Sequence, residues 1–302
     1  MPSISSLKQW ARKSAPNLYR RYVKHCRTDL PSKVSQVLSD ARKPVTLCEA
    51  QFDELQRHYK QWWSTYNYGA WGTGRRAYER ALSFLEFEPL RDPGKDALEI
   101  ACGDGMLGPM LSAYGHRVTL LDYQDWRDSR AREHTFIQAD LGKPIALPDS
   151  SKDFIFSFNA FEHIPDPALA MNEIIRILRP GGFIWLDFNP LYASPLGLHA
   201  FSFKMPYPQF LFDESLIEKK LREFGLNDLG QQMLTLQPLN KWKVDKFRAL
   251  WERKNCKLRK YEETIDDSHL DIVVRFPQAF RGRGLSLEDL TVSGLRVIIE
   301  KL

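Results

Sequence analysis

Between Leu98 and Gly108 the chain runs LEIACGDGMLG, an apolar run ending in an acid, then small residues and glycines before a helix start. Gly103 and Gly105 permit a tight turn and a close approach of backbone to a ligand, and the helix start supplies N–H groups without intrahelical partners. A loop of this kind holds a nucleotide-type cofactor. Gly103, Gly105 and Gly108 also satisfy G-x-G-x-x-G, and Asp122 stands 19 residues after Gly103, where a dinucleotide site keeps its ribose-binding acid. The glycines by themselves do not choose between cofactors.

The charges favour one. Glu99 and Asp104 flank the turn, and two carboxylates repel a pyrophosphate but suit a cationic centre. S-adenosylmethionine carries a sulfonium and an ammonium and no phosphate, so negative potential near its methionine end is favourable. Two further apolar runs end in acids: His116 to Asp122, which would present a carboxylate to ribose hydroxyls, and Phe136 to Leu141, in which Asp140 would accept from an adenine amino group. Successive parallel strands bring such acids to one crevice.

These elements carry a resemblance. From about Asp96 to Phe188 the chain resembles a class I S-adenosylmethionine-dependent methyltransferase with a type 11-like methyltransferase domain. Glu99 to Gly105 match its first motif, Asp122 its ribose acid, Ala139-Asp140-Leu141 its adenine-proximal segment, and Asp153 to Pro167, with Glu162-His163, its fourth strand and following loop. Leu178-Arg-Pro-Gly-Gly182 resembles the turn into the fifth strand. The resemblance implies an α/β fold, a Rossmann-like doubly wound seven-stranded sheet whose last strand is antiparallel. It also implies S-adenosylmethionine as cofactor, held by Glu99, Ala101, Cys102, Gly103, Asp104, Gly105, Asp122, Tyr123, Asp140, Leu141, Asn159 and Phe161. Ala101 departs from the family, which usually has glycine there.

Before the first strand, helices are expected from about Glu49 to Tyr66 and from Arg75 to about Glu86. In similar proteins this region folds over the cofactor, so Tyr66, Tyr68, Trp71 and Arg75 are candidates to cover it, with Arg75 donating its fork to the methionine carboxylate. After the fourth strand the chain becomes specific to the acceptor side: Asp187 to His199 and Pro206 to Phe212 form a long aromatic loop suited to an acceptor pocket. Its P-L-G-L-H and P-Y-P-Q-F-L-F pieces are loosely similar to methyltransferases of bacterial polysaccharide biosynthesis. Transfer to a hydroxyl needs a base for its proton. His199 is the candidate, with Asp187 or Tyr192 orienting it, while His163 shapes the cofactor side. The expected reaction is O-methylation of a glycan, sugar or other small hydroxylated metabolite; N- or C-methylation, a nicotinamide oxidoreductase and a catalytically silent cofactor-binding protein are the alternatives.

Length and composition frame these expectations. The 302 residues divide into a helical N-terminal arm and cofactor cover over 1–90 and a methyltransferase domain over 91–302, the latter with the acceptor loop at 189–212 and a helical insertion at 240–290. Within the insertion, Asn240 to about Glu263 is expected as charged helix, preceded by a strand near Gln231 to Leu236 and followed by a last strand from Val292 to Glu300. The four cysteines are too scattered for a disulfide framework or a zinc site, and methyl transfer from a sulfonium needs no metal, so none is expected. The lack of a long apolar run and of a secretory leader points to a cytoplasmic protein. Residues 1–43 carry ten Lys/Arg against Asp29 and Asp40, while the whole chain is only +5. No nucleic-acid partner is expected; the basic arm with Leu7, Trp10, Leu18 and Tyr19 either packs on the catalytic domain or meets an anionic membrane surface. Oligomeric state is not encoded in any motif.

Overall fold

The computed structural model describes residues 29–228, 231–233 and 235–302. The arm residues Leu7, Trp10, Leu18 and Tyr19 lie outside the described residues. A first helix, α1, covers 29–39, followed by α2 (Glu49–His58) and α3 (Ala70–Leu85). Then come β1 (Asp96–Ile100), α4 (Leu107–Ala113), β2 (Arg117–Asp122), β3 (Thr135–Gln138), β4 (Lys152–Phe158), α5 (Pro167–Ile177) and β5 (Leu178–Phe188). These strands are continuous apolar runs because helices cover both faces of a parallel sheet; four of the five residues of β1 are buried.

The main sheet has seven strands in the order β3-β2-β1-β4-β5-β9-β8, where β8 is Cys256–Ile265 and β9 is Val292–Lys301. Strands β1 to β5 pair in parallel, and β9 inserts antiparallel between β5 and β8. This is the Rossmann-like sheet with an antiparallel last strand. Chain order reverses between β1 and β4, so their carboxyl ends flank the crevice where doubly wound sheets bind ligands. Asp166 and Pro167 serve the frame rather than the chemistry: the Asp166 carboxylate accepts from the Ala168 and Leu169 amides and Pro167 opens α5.

Two segments differ from expectation. Helix α3 begins at Ala70, five residues earlier than the sequence suggested, and the expected helix over Glu49 to Tyr66 stops at His58. The 240–290 segment is only partly helical: α8 (Val244–Leu250) is followed by strand β8, then by α9 (Asp271–Arg275) and α10 (Pro277–Phe280), with α6 (Pro208–Leu211) and α7 (Glu214–Phe224) lying earlier in the chain. In β8, Lys257, Arg259, Lys260 and Glu262 are exposed, so their charges do not oppose a strand at the sheet's margin. A separate two-stranded ladder joins β6 (Leu226–Asp228) to β7 (Gln231–Met233).

Apolar packing falls into three groups. One joins a sheet face to α5 and α8 through Ile174, Phe247 and Trp251, and another joins the opposite face to α3 and α4 through Ala77, Phe84 and Leu107. The third contains no strand of the large sheet: Val34, Phe52 and Leu55 pack with Phe203, Tyr207, Phe212, Ile217 and Phe280. The first 90 residues are therefore divided, with α1 and α2 in this cap-like core and α3 on the sheet. The long loop after β5 is the partner of α2, since Gln56 donates to Ser202 O and Leu47 N donates to Leu211 O.

Candidate active site

The glycine loop leaves β1 through Ala101, whose φ of 50° is left-handed, a conformation that costs a residue with a Cβ about 1–2 kcal/mol. A glycine at this place would not bear that cost. Gly103 (φ 53°) and Gly105 (φ 65°) follow, and their surroundings differ. A Cβ on Gly103 would meet nothing within 4 Å, whereas one on Gly105 would lie 2.9 Å from Leu120 Cδ1. Gly105 is small because the sheet is close. Gly103 faces open space into which a ligand can come.

Asp122 closes β2 beside this loop. Its carboxylate accepts from Gly103 N (2.9 Å) and Tyr123 N (2.8 Å), which fixes it at the crevice. Burial raises its pKa, and the backbone donors act against that rise. Glu99 is buried in β1, with Oε2 unpaired; burial pushes its pKa up to about 8, against the attraction of Arg80. Asp104 accepts from Met106 N (3.0 Å) and from Arg76 Nη2 (3.2 Å). Cys102 is buried, and its amide ties the loop to Leu121 O (3.0 Å) while burial raises its thiol pKa.

Arg75 is not brought to this loop. It points away, two-thirds exposed, and pairs with Glu79 at 2.8 Å. Arg76 is the arginine at the crevice: it bonds Asp104 and Asn67 O and lies over the rings of Tyr66 and Tyr68. The helix phase gives the reason. Thr73, Ala77 and Phe84 form the buried stripe, and Arg76 and Arg80 border it, while Arg75 falls on the outer side. An amphipathic reading of α3 from its true start would have selected Arg76.

The other expected cofactor residues divide. Asp140 lies two residues beyond the end of β3, caps the turn at Gly142 N (2.8 Å) and faces Lys143 at 3.4 Å. Leu141 is buried in the core. Tyr123 is exposed beside Trp126, with ring centroids 6.2 Å apart, so the two offer an aromatic wall after Asp122. Phe161 is fully buried, packed against Phe188 and Trp251. Asn159, left-handed at φ 51°, donates to Tyr66 Oη (2.8 Å) and accepts from Asn189 Nδ2 (3.1 Å). That chain ties the segment before α3 to the ends of β4 and β5. The Tyr66 phenol pKa is raised by burial.

On the acceptor side, His163 and His199 meet edge to face, with ring centroids 4.7 Å apart. His199 is buried and its Nε2 sits 2.8 Å from the Pro190 carbonyl, so Nε2 carries the hydrogen and Nδ1 the lone pair. By the same logic His163, 2.8 Å from Pro238 O through Nδ1, has its lone pair on Nε2. Burial, then His163, pushes the His199 pKa down to about 3, which keeps the ring neutral at pH 7 and makes it a weak proton acceptor. Asp187 does not orient His199: Arg296 holds it through Nε and Nη2, both at 2.8 Å. Tyr192 packs on Phe210, with Lys241 over its ring. The orienting group on His199 is the backbone of Pro190, which has no sequence signature.

The segment that builds this crevice is similar to known proteins. Residues 98–186 match the family model described as "Methyltransferase domain". The chain is 33% identical over 110 residues to a probable S-adenosylmethionine-dependent methyltransferase of Mycolicibacterium smegmatis, covering 35% of this chain and 42% of that protein. It is likewise 33% identical over 108 residues to a malonyl-[acyl-carrier protein] O-methyltransferase of Serratia marcescens, covering 34% of this chain and 41% of that one. An S-adenosylmethionine-dependent methyltransferase structure from Mesorhizobium loti superposes with a TM-score of 0.43 at 19% identity, covering 72% of this chain and 97% of that one. Over residues 98–186 the chain is similar to S-adenosylmethionine-dependent methyltransferases. The chain spans about two fifths of the length of these curated relatives.

S-adenosylmethionine is the cofactor of this class, and the residues present fit it. The space at Gly103 and the fixed Asp122 carboxylate suit an adenosyl ligand. Among the described residues, no helix is long and apolar enough to cross a membrane.

Proposed function

We propose that this chain is an S-adenosylmethionine-dependent O-methyltransferase acting on a small hydroxylated acceptor, of which a sugar or glycan is the favoured kind. The observation that carries the donor half is the Asp122 carboxylate, fixed by two backbone amides at the β1/β4 switch point beside the open face of Gly103. When bound, the cofactor supplies an electrophilic methyl group on a sulfonium. Asp122 takes the ribose hydroxyls, Arg76 the methionine carboxylate, and Tyr123 with Trp126 the adenine face. Glu99, Asp104 and the backbone of Ala101 to Gly105 surround the cationic end.

The acceptor half is supported by a cavity that shares Asn189 with the Tyr66–Asn159–Asn189 chain. Phe201 and Pro190 give it apolar walls, and Ser194, Asp266 and Ser293 give it polar ones. An aromatic wall with several hydrogen-bonding groups suits a hydroxylated ring. The O-methyltransferase named among the relatives is in keeping with oxygen as the methylated atom.

Calorimetric titration of the full chain with S-adenosylmethionine, S-adenosylhomocysteine and NADH tests the donor half. Saturable binding of both adenosyl compounds is expected, and binding of NADH alone overturns the reading. A screen of sugars and nucleotide sugars for transfer of a labelled methyl group tests the acceptor half.

A further inference from the structure

Glu162, His163 and His199 stand together where the loop after β4 meets the loop after β5, and one ligand atom from each lies within 4.8 Å of the others. From this cluster we infer a binding site for a single divalent transition-metal ion, held by two imidazoles and one carboxylate. Zinc is the commonest ion for such a donor set, which in catalytic sites leaves a further coordination position open.

Proximity alone would be weak. The second observation is how each imidazole is held. A metal-bound histidine must present a lone pair to the ion, and its other ring nitrogen typically donates to a carboxylate or backbone carbonyl that fixes the tautomer. Both histidines have that arrangement, and through opposite nitrogens: His163 donates from Nδ1 to Pro238 O and His199 from Nε2 to Pro190 O, each at 2.8 Å. Their remaining lone pairs are His163 Nε2 and His199 Nδ1. His163 Nε2 is 3.9 Å from Glu162 Oε1, and a tetrahedral ion with bonds of about 2.0–2.1 Å needs donor atoms roughly 3.4 Å apart. Donor atoms that lie within 4.8 Å of one another need draw in by at most about 1.4 Å to reach that spacing. Glu162 and His199 are buried and His163 is nearly so, so the ligands are held in place by packing before any ion arrives.

Resting on the O-methyltransferase reading, the open position would take the acceptor's hydroxyl oxygen. Pro190, which holds His199, also lines the cavity with Asn189 and Phe201, so the ion and the acceptor would share one wall. A metal ion lowers the pKa of a bound hydroxyl.

The test uses tag-free full chain, stripped with chelator and titrated with Zn²⁺ by calorimetry. Co²⁺ follows as a visible-absorption probe of tetrahedral coordination. One ion per chain is expected, with affinity lowered at least about 100-fold in His163→Gln and in Glu162→Gln. His199→Asn is the third variant, and circular dichroism checks its fold; His163→Gln, at the least buried ligand, keeps the test decisive if that variant unfolds. No saturable Zn²⁺ binding by the parent chain, or equal binding by the His163 and Glu162 variants, overturns the site. S-adenosylhomocysteine is titrated in parallel. If it binds while Zn²⁺ does not, the metal site fails and the donor assignment stands; if Zn²⁺ binds and the adenosyl ligand does not, the donor assignment fails and the metal site stands.

Discussion

At or past the carboxyl ends of β2, β4 and β5, polar side chains are held by backbone: Asp122 by Gly103 and Tyr123, His163 by Pro238, His199 by Pro190. Around Lys220 in the cap-like core the arrangement is the reverse, and charged side chains hold one another. Lys220, almost fully buried on α7, bonds Asp53 (2.9 Å), Glu49 (3.0 Å) and Glu223 (2.9 Å) and lies over Phe52. Backbone contacts fix a side chain without consuming its charge, which suits a group that must meet a ligand. Side-chain networks consume charge and fasten one helix to another. The contrast separates a region organised for binding from one organised for cohesion.

The largest expected effect sharpens that distinction. Asp122→Ala should weaken S-adenosylhomocysteine binding by about 10- to 100-fold, the worth of charge-assisted hydrogen bonds to ribose, as read by calorimetry. Asp122→Asn should fall between the two, and unchanged affinity in both variants would break the contrast. Next comes Glu99→Gln. Because burial raises the Glu99 pKa to about 8 from an ordinary 4.5, the unfolded chain releases this proton first as pH rises. Stability from this group is therefore fully present below about pH 4.5 and is lost progressively up to about pH 8. The glutamine variant should melt higher than the parent at pH 8 and close to it at pH 4.5; equal differences at both values would count against a protonated Glu99.

Lys220→Met addresses the other region. It should cost about 1–2 kcal/mol in denaturant unfolding, since the partner carboxylates are partly exposed and regain water, while adenosyl-ligand affinity changes less than about twofold. A large loss of affinity would show that cohesion and binding are not separable. Ala101→Gly should have the smallest effect. Release from the left-handed conformation exceeds the added chain entropy by about 0.5 kcal/mol, a gain in stability read from the urea midpoint.

The same division decided how much was legible in the sequence. Strands β1, β2 and β4 were visible because parallel strands buried on both faces are apolar runs, and the glycine loop because its turn demands glycine. Asp140 shows the margin of that reading, since its apolar run ends two residues before the acid. The cap was scarcely legible. Its core joins α1 and α2 to residues almost 250 positions away, and no local period encodes such contacts. β8 was hidden because Lys257, Arg259 and Glu262 resemble a solvated helix, and only the pairing with β9 makes them strand. At the site, Arg75 stood in for Arg76 because the start of α3 was misplaced, and a one-residue error on a helix turns a side chain by about 100°. Pro190 and Pro238 could not have been named, because a carbonyl acceptor belongs to the backbone and leaves no trace in residue type.

The charged rim of β8 has a consequence for life in a crowded solution. An outer strand is an unfinished ladder, and any extended stranger of fitting length can extend it. Lys257, Arg259 and Lys260, spread along one such margin, make that accretion costly, because a newcomer must bury or displace their ammonium and guanidinium groups. The large sheet is thus guarded against indefinite growth at this border by exposed charge alone.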